Sequence, residues 1–493
     1  MSDNSTLSLI DFSFIINSPE IQFLALVATF LGSIGTIHHF VSLNKQRNEQ
    51  YKMAEVYESV KRIENVHLSV MDYVDGLPLL TDTKKKQSFD KAMKLRNEHK
   101  HEEAIKLFRF LLSQDFGESS KAALLLLIGN TFLLKGEYDE ALGSFKEALN
   151  IADNAKVFDA KSVAFGNMGL IYSDRGDPNK GIEYLQIALR IDEKFGYKSS
   201  ESNHLNDIGL IYVDQGELVK AMSCFQKALA INRELGDKEA EAINLGNIGL
   251  IYRNNCEFNK SMEYYENALS ICQQIGYKSG EANQLGNIGS LKTDLGFLDE
   301  ALECHTQALN IDINRGYRLG EASEYGNIGL VYEDKKEYAK ALEYFEKALF
   351  IFQDMDYKLG EATQLGNIAR IFLYNRNIDK ACDYQIKSMD INQEVENQLG
   401  LIQNFGELGV IFLSCGEAHE ALKCLERAIQ ISREQEHKLL EVFCLFNIGL
   451  IFQFMNEMDN ALTYFEQALN LSKSIKAEKL IAKISRHLND LNS

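Results

Sequence analysis

Chemistry needs particular side chains at particular spacings, and the chain of 493 residues offers few such sets. Its 8 cysteines contain no C-x-x-C pair. The closest two, Cys415 and Cys424, are too far apart for a zinc ribbon or a dithiol redox motif. His101-Glu102 and His419-Glu420 lack the second histidine, four residues on, that a zinc-protease helix requires. There is no phosphate-cradling P-loop, no G-x-G-x-x-G following a strand and no G-x-S-x-G nucleophile elbow. The expectation is a protein that is not an enzyme, with no cofactor, no metal and no catalytic residue. A formal net charge of -19 argues against nucleic acid as a partner, because recognition of phosphates needs a basic face.

Polar residues do recur in rows. Asn167, Asn247, Asn287, Asn327, Asn367 and Asn447 stand at one register, with Asp207 and Glu407 in the same place. A second row runs Asp174, Asp214, Asn254, Asp294 and Asp334, then changes to Tyr374, Ser414 and Phe454, flanked by Leu373 and Leu413. An acid near the C-terminal end of a helix opposes the helix dipole at about 0.3–1 kcal/mol each. Such a row is either a binding surface or a solubilising edge, and the residues alone leave both open. As a binding surface it would be acidic toward its N-terminal half and apolar toward its C-terminal half. The ligand would then be an extended or helical segment with a basic part and an apolar part. Arg253, Lys292 and Arg370 interrupt the pattern and are candidate specificity points.

The elements that position these rows follow from a repeat. Gly129, Gly169, Gly209, Gly249, Gly289, Gly329, Gly409 and Gly449 recur on an interval of 40, with Ala369 in the missing place. Twelve residues after each comes a small residue: Ala141, Gly181, Ala221, Ser261, Ala301, Ala341, Ala381, Ala421 or Ala461. Seven further on stands Ala148, Ala188, Ala228, Ala268, Ala308, Ala348, Ser388, Ala428 or Ala468. Each repeat therefore holds two helical patterns, A and B, joined by short turns such as Gln215-Gly216-Glu217. A glycine inside helix A costs about 1 kcal/mol of helix propensity relative to alanine. Close approach of the neighbouring helix explains its retention. Neither helix pair can bury its apolar face alone, so the pairs must stack.

In its small-residue, aromatic and alanine positions, Gly169, Tyr172, Gly181, Leu185 and Ala188 in the third copy, the repeat resembles the tetratricopeptide repeat. The usual proline after helix B is missing. The longer period is similar to the branch found in kinesin light chains and G-protein-signalling modulators, as is the linker Gly236-Asp237-Lys238-Glu239-Ala240-Glu241-Ala242. The resemblance implies an all-α, right-handed superhelical solenoid of about ten helix pairs whose A helices line a concave groove. It also implies that asparagines on helix A hold an extended ligand's backbone, which carries over to Asn167, Asn247, Asn287, Asn327 and Asn367. An asparagine ladder bonding adjacent helices is the alternative. Nine copies span 122–481, a degenerate first copy spans 82–121, and 477–491 reads as a capping helix.

Residues 21–41 carry no formal charge and are long enough for a bilayer core, roughly 31 Å at 1.5 Å per residue. Acidic residues precede them and Lys45, Arg47, Lys52, Lys61 and Arg62 follow, which places 1–20 outside and the repeats in the cytoplasm. Residues 42–75 hold a heptad-like stripe, Met53 to Val74, compatible with a short coiled coil and a homo-oligomer. The expectation is thus a single-pass membrane scaffold that binds a peptide segment or partner protein. The alternative is a soluble adaptor or self-assembling structural protein whose apolar N-terminal helix mediates oligomerisation.

Two smaller rows complete the pattern. Cys224, Cys304 and Cys424 share a register with Tyr184, Tyr264, Tyr344, Tyr384 and Tyr464, the mark of a packing position, and free thiols in a helical core suggest a reducing compartment. Tyr197, Tyr277, Tyr317 and Tyr357, each followed by Lys or Arg, fall where helix B turns into the next helix A. Their rings are expected to pack the joint between repeats.

Overall fold

The computed structural model describes residues 83–492, apart from 98, 99, 136, 396, 435, 436, 476 and 477. These residues form an all-α repeat solenoid of 21 helices, and no strand occurs among them. Helices come in antiparallel A–B pairs. Examples are Lys198–Asp214 with Leu218–Leu235, and Lys238–Asn254 with Phe258–Ile275. By internal packing the described chain divides into two units: 83–364 with Ile391–Gln398, and Leu365–Asp390 with 399–492.

Within each unit the glycine row explains how a pair closes. A Cβ at Gly209 would lie 2.5 Å from the Phe225 ring, and one at Gly249 would lie 2.7 Å from Tyr265. Gly329 meets Phe345 and Gly449 meets Phe465 in the same way, both at 2.6 Å. The aromatic side chain of helix B thus lies flat on a patch of helix A with no side chain, and Phe225, Tyr265, Phe345 and Phe465 are fully buried. The small residues from Ala141 to Ala461 and the alanines from Ala148 to Ala468 are buried too, letting helix B approach on both sides.

The corners have fixed chemistry. Helix B ends in a left-handed Gly196, Gly236, Gly276 or Gly316, with φ between 69° and 75°. The next residue's N–H then reaches back to a carbonyl five residues earlier: Tyr197 to Asp192 at 2.9 Å, Tyr277 to Cys272 at 2.8 Å, Tyr317 to Asp312 at 2.9 Å. The Tyr277, Tyr317 and Tyr357 rings pack against the core at these joints. The cations beside them are exposed but paired: Lys198 with Glu201 at 2.7 Å, Lys278 with Glu281 at 2.6 Å.

The position that accepts Cys or Tyr is a stacking site. Tyr184 lies on Tyr172 with ring centroids 5.1 Å apart, and Tyr264 on Tyr252 at 5.3 Å. In the second unit Tyr464 lies on Phe452 at 5.4 Å. There the amphipathic helix Glu478–Asn492 also covers the last repeat, with Ile484 buried and His487 edge-on to Phe465 at 4.8 Å.

The membrane expectation is corrected. Among the described residues no helix is long and apolar enough to cross a membrane. The described helices reach 18 residues, as in Tyr138–Ala155, short of the roughly 20 a bilayer core requires. Residues 21–41, on which the single-pass reading and its cytoplasmic orientation rested, lie outside the described residues. So do 1–20 and the heptad-like 42–75.

Candidate functional site

The asparagine row is interior. Asn167 and Asn247 are almost wholly buried, and each bonds into the preceding repeat. Asn167 Nδ2 donates to Asn130 Oδ1 at 3.0 Å, and Asn247 Nδ2 to Asn206 Oδ1 at 2.6 Å. Asn287 Nδ2 donates to Gln284 Oε1 at 3.2 Å, and Asn367 Oδ1 accepts from Arg370 Nη2 at 3.2 Å. Asn327 is buried at the same register. A buried amide left without partners would cost about 1–3 kcal/mol, so the bonds of Asn167 and Asn247 fix how adjacent A helices pack, while those of Asn287 and Asn367 satisfy the amide within its own helix.

A second polar row, three residues before the first, escaped the sequence reading: His204, Asn244, Gln284, Glu324, Gln364 and Asn404, all buried. Asn244 donates to Asn206 at 3.2 Å and accepts from Asn232 at 2.7 Å. His204 Nδ1 lies 2.6 Å from Asp192 Oδ2, whose other oxygen accepts from Ser162 Oγ at 2.5 Å. The serine faces the carboxylate and not the imidazole, and all three groups are sealed from solvent, so the trio is a structural joint and not a hydrolytic triad. His305 takes the aromatic place over Gly289 and bonds Glu324 at 2.7 Å. The row varies in type from copy to copy, which hid it. Its signal was a register that stays polar where a helix facing its neighbour should be apolar.

The acidic row occupies a different place. Asp174, Asp214, Asp294 and Asp334 are the last residues of their A helices, as is Asn254. Asp174, Asp214 and Asp334 are half-buried and Asn254 is exposed, so this row meets solvent where the asparagines do not. Asp294 Oδ2 accepts from Arg253 Nε at 2.6 Å. Burial works to lower the Arg253 guanidinium, but the charge and hydrogen bond of Asp294 outweigh it and hold it above its ordinary value. Lys292 pairs with Glu300 at 2.9 Å, and that hydrogen bond raises it. Two of the three candidate specificity cations, Arg253 and Lys292, are therefore held by acids of the array.

In the second unit, Arg370 is buried, with Asn367 on one side and Glu407 at 3.7 Å on the other. This arginine stands where other copies carry Leu170, Leu210 or Leu250, and its acid stands in the asparagine register. Tyr374 ends its A helix half-buried, in the place the acids hold in the first unit. Among the described residues no group of His, Cys, Asp and Glu is arranged to hold a metal ion.

Two family models, both described as Tetratricopeptide repeat, match the chain. One covers 161–234, 200–274, 238–312, 280–354 and 399–474, and the other covers 89–156. No curated protein matches it by sequence. Among solved structures, a Rap protein complexed with competence and sporulation factor is 14% identical, with a TM-score of 0.50 over 80% of this chain and 99% of that one. The apo quorum sensor NprR from B. thuringiensis is 15% identical, with a TM-score of 0.46 over 79% of this chain and 99% of that one. A putative kinesin light chain from Podospora anserina, with TPR-like repeats, is 15% identical, with a TM-score of 0.34 over 41% of this chain and 98% of that one. Likeness at such identities speaks for the fold alone.

Proposed function

The chain belongs to the tetratricopeptide repeat family, in the long form with a 40-residue interval, and from that premise we propose that it is a non-enzymatic scaffold or adaptor that binds a protein or peptide segment. The binding surface in the first unit is the line of A-helix ends: Asp174, Asp214, Asn254, Asp294 and Asp334. One observation carries this reading: these residues reach solvent, whereas the asparagines of the same helices are buried, with Asn167 and Asn247 bonded to the preceding A helix. Asn167 and Asn247 then serve as joints that hold successive A helices in register and so set the spacing of the acids, and the buried Asn287, Asn327 and Asn367 are set aside as ligand contacts. A row of carboxylates that repeats with the helices suits a partner segment carrying basic side chains at intervals. In the second unit Arg370 is buried and held by Asn367 and Glu407, and the half-buried Tyr374 marks a separate stretch of different character, suited to an apolar part of a partner. The scaffold role needs no membrane anchor, because the surface is built wholly from the repeats. The Rap protein, solved in complex with competence and sporulation factor, illustrates that a fold of this class accommodates a ligand.

The test is a fluorescence-anisotropy titration with a labelled peptide of alternating lysine and glycine. Wild type should bind it, with affinity falling as salt rises. Asp214→Lys with Asp334→Lys should weaken binding at least tenfold at low salt. Equal affinity of wild type and variant at low salt would remove the acidic row from the function.

A further inference from the structure

One of the 40-residue repeats departs from the rule by which the others close. In the second unit Ala369 stands where the neighbouring copies carry Gly409 and Gly449, and Gln385 stands where they carry Leu425 and Phe465. Ser388 likewise replaces the alanine found at Ala428 and Ala468. These are core positions: Gln385 and Ser388 are as buried as the residues they replace. The amide is poorly satisfied there. Gln385 Nε2 donates to the Asn404 carbonyl at 3.4 Å, at the edge of hydrogen-bond range, and its Oε1 has no partner. Gln403, the residue before Asn404 on the facing helix Gln398–Ser414, is buried with its Nε2 equally without a partner. Asn404 Nδ2 donates to Ser388 Oγ at 2.9 Å. A joint that is aromatic or aliphatic elsewhere is here amide against amide.

Two consequences follow from elementary energetics. Replacing a buried leucine or phenylalanine by glutamine removes apolar burial, and the unpaired amide atoms add a desolvation penalty. Both act on the folded state only, so they lower the free energy needed to separate this pair from its neighbour. Local opening takes place where such protection is lowest. We propose that residues 378–390 form the segment of the second unit that opens first, exposing the amide-lined face of Gln398–Ser414 as a built-in conformational device. Opening would present backbone-like donors and acceptors, Gln385, Gln403 and Asn404, which are sealed when the pair is closed.

Hydrogen exchange of the full chain, read by mass spectrometry, tests this. Peptides covering 378–390 should exchange at least tenfold faster than those covering 418–432, the equivalent helix of the next copy. The Gln385→Leu variant should slow them at least tenfold, because a Cβ facing leucine is tolerated in this register: one built at Gly409 would lie 3.4 Å from Leu425. Ala369→Gly with Gln385→Phe, which restores the usual glycine–aromatic pair, should do the same and covers the case in which the single variant packs poorly. Equal protection of the two segments in wild type would overturn the proposal. So would a Gln385→Leu chain, folded by circular dichroism, whose exchange at 378–390 is unchanged.

Discussion

Adding a methyl group to two glycines of the same row should change stability in opposite directions. Gly209→Ala and Gly409→Ala each gain about 1 kcal/mol of helix propensity. At position 209 the new Cβ would sit 2.5 Å, 2.8 Å and 3.0 Å from three atoms of the Phe225 ring, well inside van der Waals contact. That ring is fully buried, so it can move only by disturbing its neighbours, and overpacking of this kind costs about 1–3 kcal/mol. With a contact this short the cost falls at the upper end, leaving Gly209→Ala about 2 kcal/mol less stable than wild type. At position 409 the nearest atom, Leu425 Cγ, is 3.4 Å away, so the propensity gain survives nearly intact. The two variants should therefore differ by about 3 kcal/mol, read as local opening free energies from hydrogen exchange over each helix pair. Arrays of repeats need not unfold in one step, which makes a single global midpoint a poor substitute. Adding Phe225→Leu to Gly209→Ala should recover about half the loss, as the Gly409 and Leu425 pair allows. If both single variants shift stability the same way, the glycine row is not held by ring contact, and the account of how the pairs close fails.

Other outcomes follow from the same geometry. Lys336 adopts a left-handed φ of 59° at a turn where other copies have Gly216 or Gly296, so Lys336→Gly should stabilise its helix pair by about 1 kcal/mol; a loss would show that its side chain makes compensating contacts. Asp294→Ala should destabilise the first unit by about 1–3 kcal/mol by stranding the Arg253 guanidinium, while Arg253→Leu with Asp294→Leu should recover most of it; an additive double-mutant cycle would refute the pairing. Burial pushes the Cys272 and Cys382 thiols up to about 12, so both should resist iodoacetamide in the native chain at pH 8 and react once it is unfolded. The same shift sets a pH dependence. Below about pH 8.5 these thiols are protonated in folded and unfolded chains alike, and above it only the unfolded chain ionises, so the stability they confer is lost as pH rises toward 12. Each contributes a slope of about 1.4 kcal/mol per pH unit, and the loss between pH 9 and 10.5 should shrink in Cys272→Ala; an unchanged slope would refute it.

The helical pairs were legible because repetition displays them many times over. Gly209, Ala221 and Ala228 each return at one interval, and a feature imposed by backbone approach admits only small residues, glycine, alanine or serine. The asparagine row was legible as a row, but its burial was not. An amide suits a ligand's backbone and a neighbouring helix equally, and only the bond from Asn247 to Asn206 shows which atoms it meets. The joint row from His204 to Asn404 was hidden because a polar contact between helices can be made by histidine, asparagine, glutamine or glutamate, so the type drifts while the register stays. The capture of Arg253 by Asp294 lies beyond one-repeat reasoning, since its partners are 41 residues apart and meet only when successive A helices stack.

The most direct test of the scaffold reading is a hydrogen-exchange footprint of the alternating lysine–glycine peptide on the full chain. The account predicts added protection at the last turns of the A helices, 170–174, 210–214, 290–294 and 330–334, lost together in the Asp214→Lys and Asp334→Lys variant. Protection confined to the B helices, or none at saturating peptide, would contradict it.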